Sequence, residues 1–145
     1  MTAKHTKQSL QGLEGVYIVV EEIYGKSVQS EILEQQIKED IKLKILNAEI
    51  PVLSTAEWMT APGAPFLYIH VNITELPDSS VSSFSLSVEL NQNVIIARKL
   101  SINMTSSTWK TGMVSIIEGQ DLANCIRSSV DELVDLFIID YLEVN

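Results

Sequence analysis

Apolar residues follow two different spacings along this chain of 145 residues, and the spacings predict where helices and strands form. From Ser30 to about Asn47 they recur every four positions on an otherwise polar segment, which predicts an amphipathic helix. A second helix is predicted from Asp121 to the end of the chain, because apolar residues recur there at steps of three and four. The two apolar stripes consist of Leu33, Ile37, Ile41 and Ile45 in the first helix and of Leu122, Ile126, Val130, Leu133, Phe137 and Tyr141 in the second.

Strands are predicted where β-branched residues cluster or where apolar and polar residues alternate. Residues 16–20 have the composition of a buried strand, and residues 50–53 that of a short one. Residues 66–76 alternate strictly, and the even positions from 84 to 96 keep one register, which favours a single long strand over a hairpin. A last strand is predicted over residues 107–117, which are rich in Thr, Ser, Val and Ile.

The order of these elements predicts one α+β domain. A strand, a helix and a strand come first, and this βαβ order usually gives a right-handed parallel pair, here the strands around Val19 and Val52. Three strands of an antiparallel meander and the C-terminal helix follow. The prediction is therefore a mixed five-stranded sheet with two helices on one face, formed by residues 13–145 after a flexible polar tail at residues 1–12.

Four aromatic residues are the candidate binding site. Residues 54–57 form a helix-capping sequence, which predicts a short helical turn carrying Trp58 before a Pro-Gly loop. Phe66 and Tyr68 lie on the less apolar side of their strand, and Trp109 lies in the last strand. Two interpretations stay open: these side chains form a recognition patch for another protein, or the loop folds over them as a second small core.

Charge and composition exclude several classes of function. Ten Lys and Arg against nineteen Asp and Glu give a formal net charge of −9, which repels nucleic acids and anionic lipid surfaces. No segment has the ~18 consecutive apolar residues of a membrane span. Cys125 is the only cysteine, so an intrachain disulfide is impossible. The expected partners are an unknown protein or a second copy of the chain, with no nucleic acid and no membrane span.

No motif for catalysis, metal binding or cofactor binding occurs in the sequence, so we predict no catalytic residue, no metal and no cofactor. His70 has no Cys, Asp or Glu at metal-ligand spacing, and neither a Gly-x-Ser-x-Gly elbow nor a nucleotide-binding glycine motif is present. A binding domain is therefore a better interpretation than an enzyme. The alternative is a hydrolase or small-ligand enzyme with a pocket near Glu21, His70 and Trp109.

A resemblance adds to this interpretation. Its segments are 10–22 (LQGLEGVYIVVEE), 41–53 (IKLKILNAEIPVL), 57–58 (EW), 62–72 (PGAPFLYIHVN), 88–90 (VEL), 108–112 (TWKTG) and 133–145 (LVDLFIIDYLEVN). Together they resemble a family of small uncharacterised bacterial proteins whose members often carry a signal peptide. The order of elements is also similar to the amino-terminal domain of the periplasmic protein TolB and to related envelope lipoprotein domains, which are protein-interaction modules. The resemblance implies a non-enzymatic interaction or structural domain of the bacterial cell envelope, periplasmic or secreted if a leader precedes Met1 and otherwise cytoplasmic.

Overall fold

The computed structural model describes residues 4–119 and 121–145 of the chain, which form a mixed sheet with helices. Its strands lie in the order β1-β2-β3-β4, with β1 parallel to β2 and the other two pairs antiparallel. The α+β class and the antiparallel meander are therefore as predicted, but the sheet has four strands instead of five. The strands are β1 (Tyr17–Val20), β2 (Phe66–Glu75), β3 (Val81–Ile95) and β4 (Asn103–Glu118).

Two long helices and the sheet share one apolar core. The helices are α1 (Lys4–Gln8), α2 (Ser30–Asn47), α3 (Thr55–Thr60) and α4 (Leu122–Val144). Helix α2 contacts β1, helix α4 contacts β3 and β4, and the two helices contact each other. The apolar stripe predicted for α2 is buried in full, and it belongs to the same core cluster as the buried side chains of α4 and of the strands. In the described part of the chain, no helix has both the length and the apolar character needed to cross a bilayer.

The predicted fifth strand at residues 50–53 is wrong. The segment makes a single parallel bridge, between Val52 and Val16, and the strand paired with Val19 is β2, through Tyr68. Two hydrogen bonds hold the bridge: the Val16 N–H donates to the Pro51 carbonyl (3.1 Å), and the Leu53 N–H donates to the Val16 carbonyl (2.8 Å). Pro51 has no N–H to donate, and the chain turns into α3 from Thr55, so the segment is too short for a ladder.

Strand β3 continues through Asn91-Gln92-Asn93 without a turn, as its even register predicts. The pairing with β4 shifts there: Leu90 faces Trp109 and Asn91 faces Ser107, so Thr108 is an extra residue, a β-bulge. The carbonyl of Thr108 accepts a hydrogen bond from Ser9 Oγ (3.3 Å), and Gln92 Nε2 donates to Thr108 Oγ1 (2.9 Å). The bulge therefore attaches the N-terminal segment to the edge of the sheet.

The N-terminal segment makes more contacts than a polar tail would. Leu10 is fully buried in the core, although it lies within residues 1–12, the segment expected to be a flexible tail. Asn145 Nδ2 donates to the Leu10 carbonyl (2.9 Å), and the Gly12 N–H donates to Asn145 Oδ1 (2.8 Å). The structure thus joins this segment to the C-terminus of α4, while the mobility expected for residues 1–12 stays a prediction.

Candidate functional site: an aromatic row on the outer face of the sheet

The strand β2 has one buried face and one open face. Leu67, Ile69 and Val71 are buried, and they alternate with Phe66 and Tyr68, which are half-buried, on the opposite side. We call the side that carries Phe66 and Tyr68 the outer face and the other side the core face. Two of the four candidate residues therefore lie on the face that does not contribute to the core.

Helix α3 brings Trp58 to this outer face. The helix begins with a capping box, in which Ser54 Oγ accepts from the Glu57 N–H (3.2 Å) and the Glu57 carboxylate accepts from the Ser54 N–H (3.0 Å). Hydrogen bonding to the Glu57 carboxylate from the Ser54 N–H, and secondly from the Ser54 hydroxyl, lowers the pKa of Glu57 below its ordinary value. Trp58 Nε1 then donates to the Ala64 carbonyl (2.8 Å), so the Pro-Gly loop fixes the ring.

The rings of the outer face form one continuous series. Trp58 stacks on Tyr17 with a centroid distance of 4.9 Å and an interplanar angle of 17°, and it meets Phe66 edge-on at 6.0 Å. Phe66 lies 6.4 Å from Tyr68, and Tyr68 lies 6.4 Å from His70. Edge-on and stacked arrangements at these distances are the favourable ones for aromatic pairs. We call Tyr17, Trp58, Phe66, Tyr68 and His70 the aromatic row.

The rings of the aromatic row are neither fully open, as in a bare recognition patch, nor buried, as in a second small core. Tyr17, Trp58, Phe66 and Tyr68 are half-buried, and His70 is exposed. No side chain of the row joins the buried residues of the core cluster. The loop that precedes Phe66 therefore supports one side of the row without covering it, and the rings keep a solvent-accessible surface.

Trp109 does not belong to this site. It is 1% exposed, its ring lies 5.4 Å from that of Phe137, and its Nε1 donates to Asp140 Oδ2 (2.9 Å). Its partner across the sheet is Leu90, which is also buried, so both point to the core face. The expected grouping of Trp109 with Trp58, Phe66 and Tyr68 is corrected, because the register of β4 turns its side chain towards α4.

Two members of the row, Tyr17 and His70, were not among the candidate binding residues. Tyr17 pairs with Phe66 through the parallel register of β1 and β2, which brings its ring beside the others. Its signal in the sequence was weak, because it lies in a β-branched run typical of a strand buried on both faces. His70 has the even parity of Phe66 and Tyr68, so its place at the end of the row follows from the alternation in β2.

The alternative pocket of Glu21, His70 and Trp109 does not form. His70 lies on the outer face and Trp109 on the core face, with the sheet between them. Glu21 follows β1, and its N–H donates to the Ile69 carbonyl (2.9 Å). None of the three lines either of the two main clefts found in the described residues.

The larger cleft lies beside the loop that follows β1, and two of its carboxylates, Glu75 and Glu34, hold this loop. Glu75 accepts hydrogen bonds from the N–H groups of Lys26 (3.0 Å) and Ser27 (2.9 Å), and from the Ser27 hydroxyl. These hydrogen bonds lower the pKa of Glu75, and those from Ser27 have the largest effect. Glu34 holds the same loop by accepting from the Ile23 N–H (2.6 Å). Within the residues that the structure describes, no three His, Cys, Asp or Glu side chains are grouped as metal ligands.

Comparisons with known proteins provide little beyond this geometry. No protein-family model matches the chain, and no curated protein is similar to it. Among solved structures, the chain is similar to the hypothetical protein CT253 from Chlamydia trachomatis, with 10% identity and a TM-score of 0.40. The similarity covers 86% of this chain and 96% of that one. A likeness at that TM-score carries no argument about function.

Proposed function

We propose that the protein is a non-enzymatic interaction domain that holds a protein partner on the aromatic row. The observation that carries this proposal is the continuous contact of Tyr17, Trp58, Phe66 and Tyr68 on a face that contributes nothing to the core. Rigid aromatic side chains supply a large contact area at a low cost in conformational entropy, and Trp and Tyr dominate the binding energy of many interfaces.

The charge of the chain favours a basic partner. The net charge is −9, and Glu89 lies opposite Tyr68 in the register of β2 and β3, at the margin of the row. A Lys or Arg of the partner that reaches the row meets aromatic faces on a chain of net negative charge, which combines cation–π attraction with long-range electrostatic attraction. The Glu89 carboxylate itself is already paired with Lys110 (3.2 Å). We therefore propose a partner segment that carries apolar side chains and at least one basic residue.

The proposal is tested by selecting peptides from a displayed random library against the wild-type protein and measuring their affinity for variants. We expect Trp58→Ala to weaken the selected peptides by about 30-fold, the loss of a binding hot spot of about 2 kcal/mol. Ser87→Ala is the control, because Ser87 lies on the same face, opposite His70 in the register of β2 and β3, and its substitution removes no ring from the row. Peptides that bind both variants as well as the wild type would contradict the proposal, as would a library that yields no peptides.

We also propose that the domain works in the bacterial cell envelope. This part is supported by the resemblance of the seven segments to proteins that are often exported. Fractionation of bacteria that express the protein from its own gene tests it directly. We expect the protein in the periplasmic or envelope fraction, and its recovery in the cytoplasmic fraction alone would contradict this location.

A further inference from the structure

The strand β4 has a free edge. It is the last strand in the order β1-β2-β3-β4, so no strand of the described residues pairs with its far side. Prolines, lysines and bulges are the usual protection of such edges. The strand is 16 residues long and contains no proline, one lysine (Lys110) and one bulge, at Thr108. The bulge at Thr108 interrupts the edge near Ser9, which leaves residues 110–118 as a regular free segment.

The most exposed large apolar side chains of the described chain lie on this segment. Val114 and Ile116 are each 75% exposed, more than any other large apolar residue. They face Ser85 and Ser83 across the β3–β4 pairing, and these serines alternate with the buried Phe84 and Leu86. Val114 and Ile116 therefore lie on the outer face, beside side chains too short to cover them.

The two charged residues of β4 lie at equal distances along the strand on either side of Val114. Lys110 and Glu118 are the only charged residues of the strand, they have opposite signs, and each lies four residues from Val114. Residues that face each other across an antiparallel pair lie on the same face. In a pair of β4 strands related by a two-fold axis at Val114, Lys110 of each copy therefore faces Glu118 of the other.

Other two-fold registers lose this match. With the axis at Met113, for example, Lys110 faces Ile116 of the second copy, and the two charges are separated. Lys110 has room for a second carboxylate, because its side chain is 61% exposed although its Nζ lies 3.2 Å from Glu89 Oε1. Charge complementarity thus selects one register for a second copy of this chain.

The apolar residues fit the same register. Val114 faces Val114 of the second copy, and Ile116 faces Gly112. Gly112 must lack a side chain within its own sheet, since an added Cβ would lie 2.8 Å from the Leu86 carbonyl oxygen. The larger of the two exposed apolar side chains, Ile116, therefore lies opposite the one position of the segment without a side chain.

We propose that the protein forms a two-fold homodimer in which the β4 edges pair over residues 110–118, centred on Val114. The free N–H and C=O groups of each edge hydrogen-bond to those of the other, which joins the two sheets into one. The Lys110–Glu118 pairs set the register. The net charge of −9 on each copy opposes association, so the dimer is weak when salt does not screen it. This surface is separate from the aromatic row, and the dimer does not depend on the proposed function.

Disulfide crosslinking in a Cys125→Ala background tests the register. Only the residue on the axis faces itself, so we expect Val114→Cys to form a disulfide-linked dimer on mild oxidation, because facing Cα atoms lie about 4.5–5.5 Å apart. Ile116→Cys is the matched control, equally exposed and on the same face. Its two copies lie four residues apart along the strand, about 13 Å, and cannot bridge. Equal crosslinking of the two variants, or crosslinking of Ile116→Cys alone, would overturn the proposal.

Sedimentation equilibrium at physiological salt tests the association itself. We expect the molar mass to rise towards twice 16.1 kDa between about 10 μM and 1 mM, the range of a weak interface. Glu118→Lys should raise the dissociation constant about tenfold, because it places like charges opposite each other. The double variant Lys110→Glu/Glu118→Lys should restore part of the affinity. A monomer at every concentration, or no effect of Glu118→Lys, would refute the dimer.

Discussion

The two tryptophans of the chain mark two faces of one sheet with opposite properties. Trp109 is 1% exposed, packs edge-on against Phe137 and donates to Asp140, so every part of its ring is used inside the fold. Trp58 is half-buried and is held by a six-residue helix and the loop after it. Its ring stacks on Tyr17 and meets Phe66 edge-on. The same residue type therefore serves stability on one face and remains available for contact on the other.

This difference shows that the residue type alone does not identify a binding site. The parity of its position and the pairing register of β4 bury Trp109, whereas helix α3 places Trp58 on the outer face, and both faces of this sheet carry apolar residues. The buried side chains of α2 and α4 share one core cluster with the core-face side chains of the strands, whereas in the described structure the rings of the outer face contact Trp58 of α3 at one side. If the two faces differ in energy as they differ in burial, substitutions on the core face should cost more stability than substitutions on the outer face.

The largest effect is expected from a carboxylate placed on adjacent positions of β3. Val88 is fully buried and Ser87 lies on the outer face, so Val88→Asp buries an unpaired charge and Ser87→Asp does not. We expect Val88→Asp to cost several kcal/mol, enough to unfold a domain with a stability of ~5–15 kcal/mol, while Ser87→Asp changes it by less than about 1 kcal/mol. Urea denaturation followed by circular dichroism measures both. Similar losses in the two variants would mean that the faces are not distinct.

The next effect separates the two tryptophans. Trp109→Ala should lower the free energy of unfolding by about 3–5 kcal/mol, because it leaves a cavity and removes the indole hydrogen bond to Asp140, whose carboxylate keeps Lys7 at 3.5 Å. Trp58→Ala removes a half-buried ring and one hydrogen bond, so we expect a loss of less than about 2 kcal/mol. Thermal and urea denaturation of the two variants gives the comparison. A loss as large for Trp58 as for Trp109 would favour a second small core over a binding surface.

A third test concerns the extent of the core at the N-terminus. The Leu10 side chain is fully buried, so the cavity left by Leu10→Ala should cost about 2–3 kcal/mol, while the hydrogen bond from Asn145 to the Leu10 carbonyl is retained. Gln11→Ala is the control, because Gln11 is the exposed neighbour. Amide exchange reports the same region independently. A neutral Leu10→Ala variant with an unprotected segment would show that the flexible tail extends beyond Leu10, as the sequence suggests.

The smallest effect is expected where α2 and α4 meet away from the sheet. Arg127 forms a two-bond ion pair with Asp40 (2.8 and 3.0 Å), and Asp131 Oδ1 is buried without a hydrogen-bond partner in the described structure. Burial raises the pKa of Asp131, with Lys44 and Arg127 opposing the shift and Asp40 and Asp135 adding to it. A raised pKa in the folded state means that the ionised form destabilises the fold above that pKa.

Asp131→Asn should therefore raise the melting temperature slightly at pH 7. The gain should disappear as the pH falls below about 3.9, the ordinary pKa of Asp, where the wild-type carboxyl is protonated in both states. Melting curves from pH 3 to pH 8 measure the difference. A variant that is less stable than the wild type at pH 7 would contradict the burial of this carboxylate.

The parts of the fold with a clear period were predictable from the sequence. The four-residue spacing of Leu33, Ile37, Ile41 and Ile45 matches the buried side of α2, and the alternation from Phe66 matches the two faces of β2. A regular spacing of apolar residues is visible where one face of an element is buried and the other is polar, because each residue type then indicates the face on which its side chain lies.

The rest could not be predicted because the local pattern was ambiguous. In β4, Met113 and Ile117 share the parity of Trp109, but Val114 and Ile116 on the other face are just as apolar, so the pattern did not show which face Trp109 occupies. Leu10 is a single apolar residue in a polar segment and has no period at all. The aromatic row was predicted in part, through Trp58, Phe66 and Tyr68, whereas Tyr17 entered it through a parallel pairing between residues 49 positions apart (17 and 66).

The central claim is that Trp58 is accessible on the outer face while Trp109 is enclosed by the core, and the fluorescence of the two tryptophans tests it most directly. Trp109→Phe leaves Trp58 as the only indole and Trp58→Phe leaves Trp109, with circular dichroism confirming that both variants are folded. We predict red-shifted emission that acrylamide quenches readily for Trp58, and blue-shifted emission that resists acrylamide for Trp109. Equal quenching of the two folded variants, or stronger quenching of Trp109, would contradict the account.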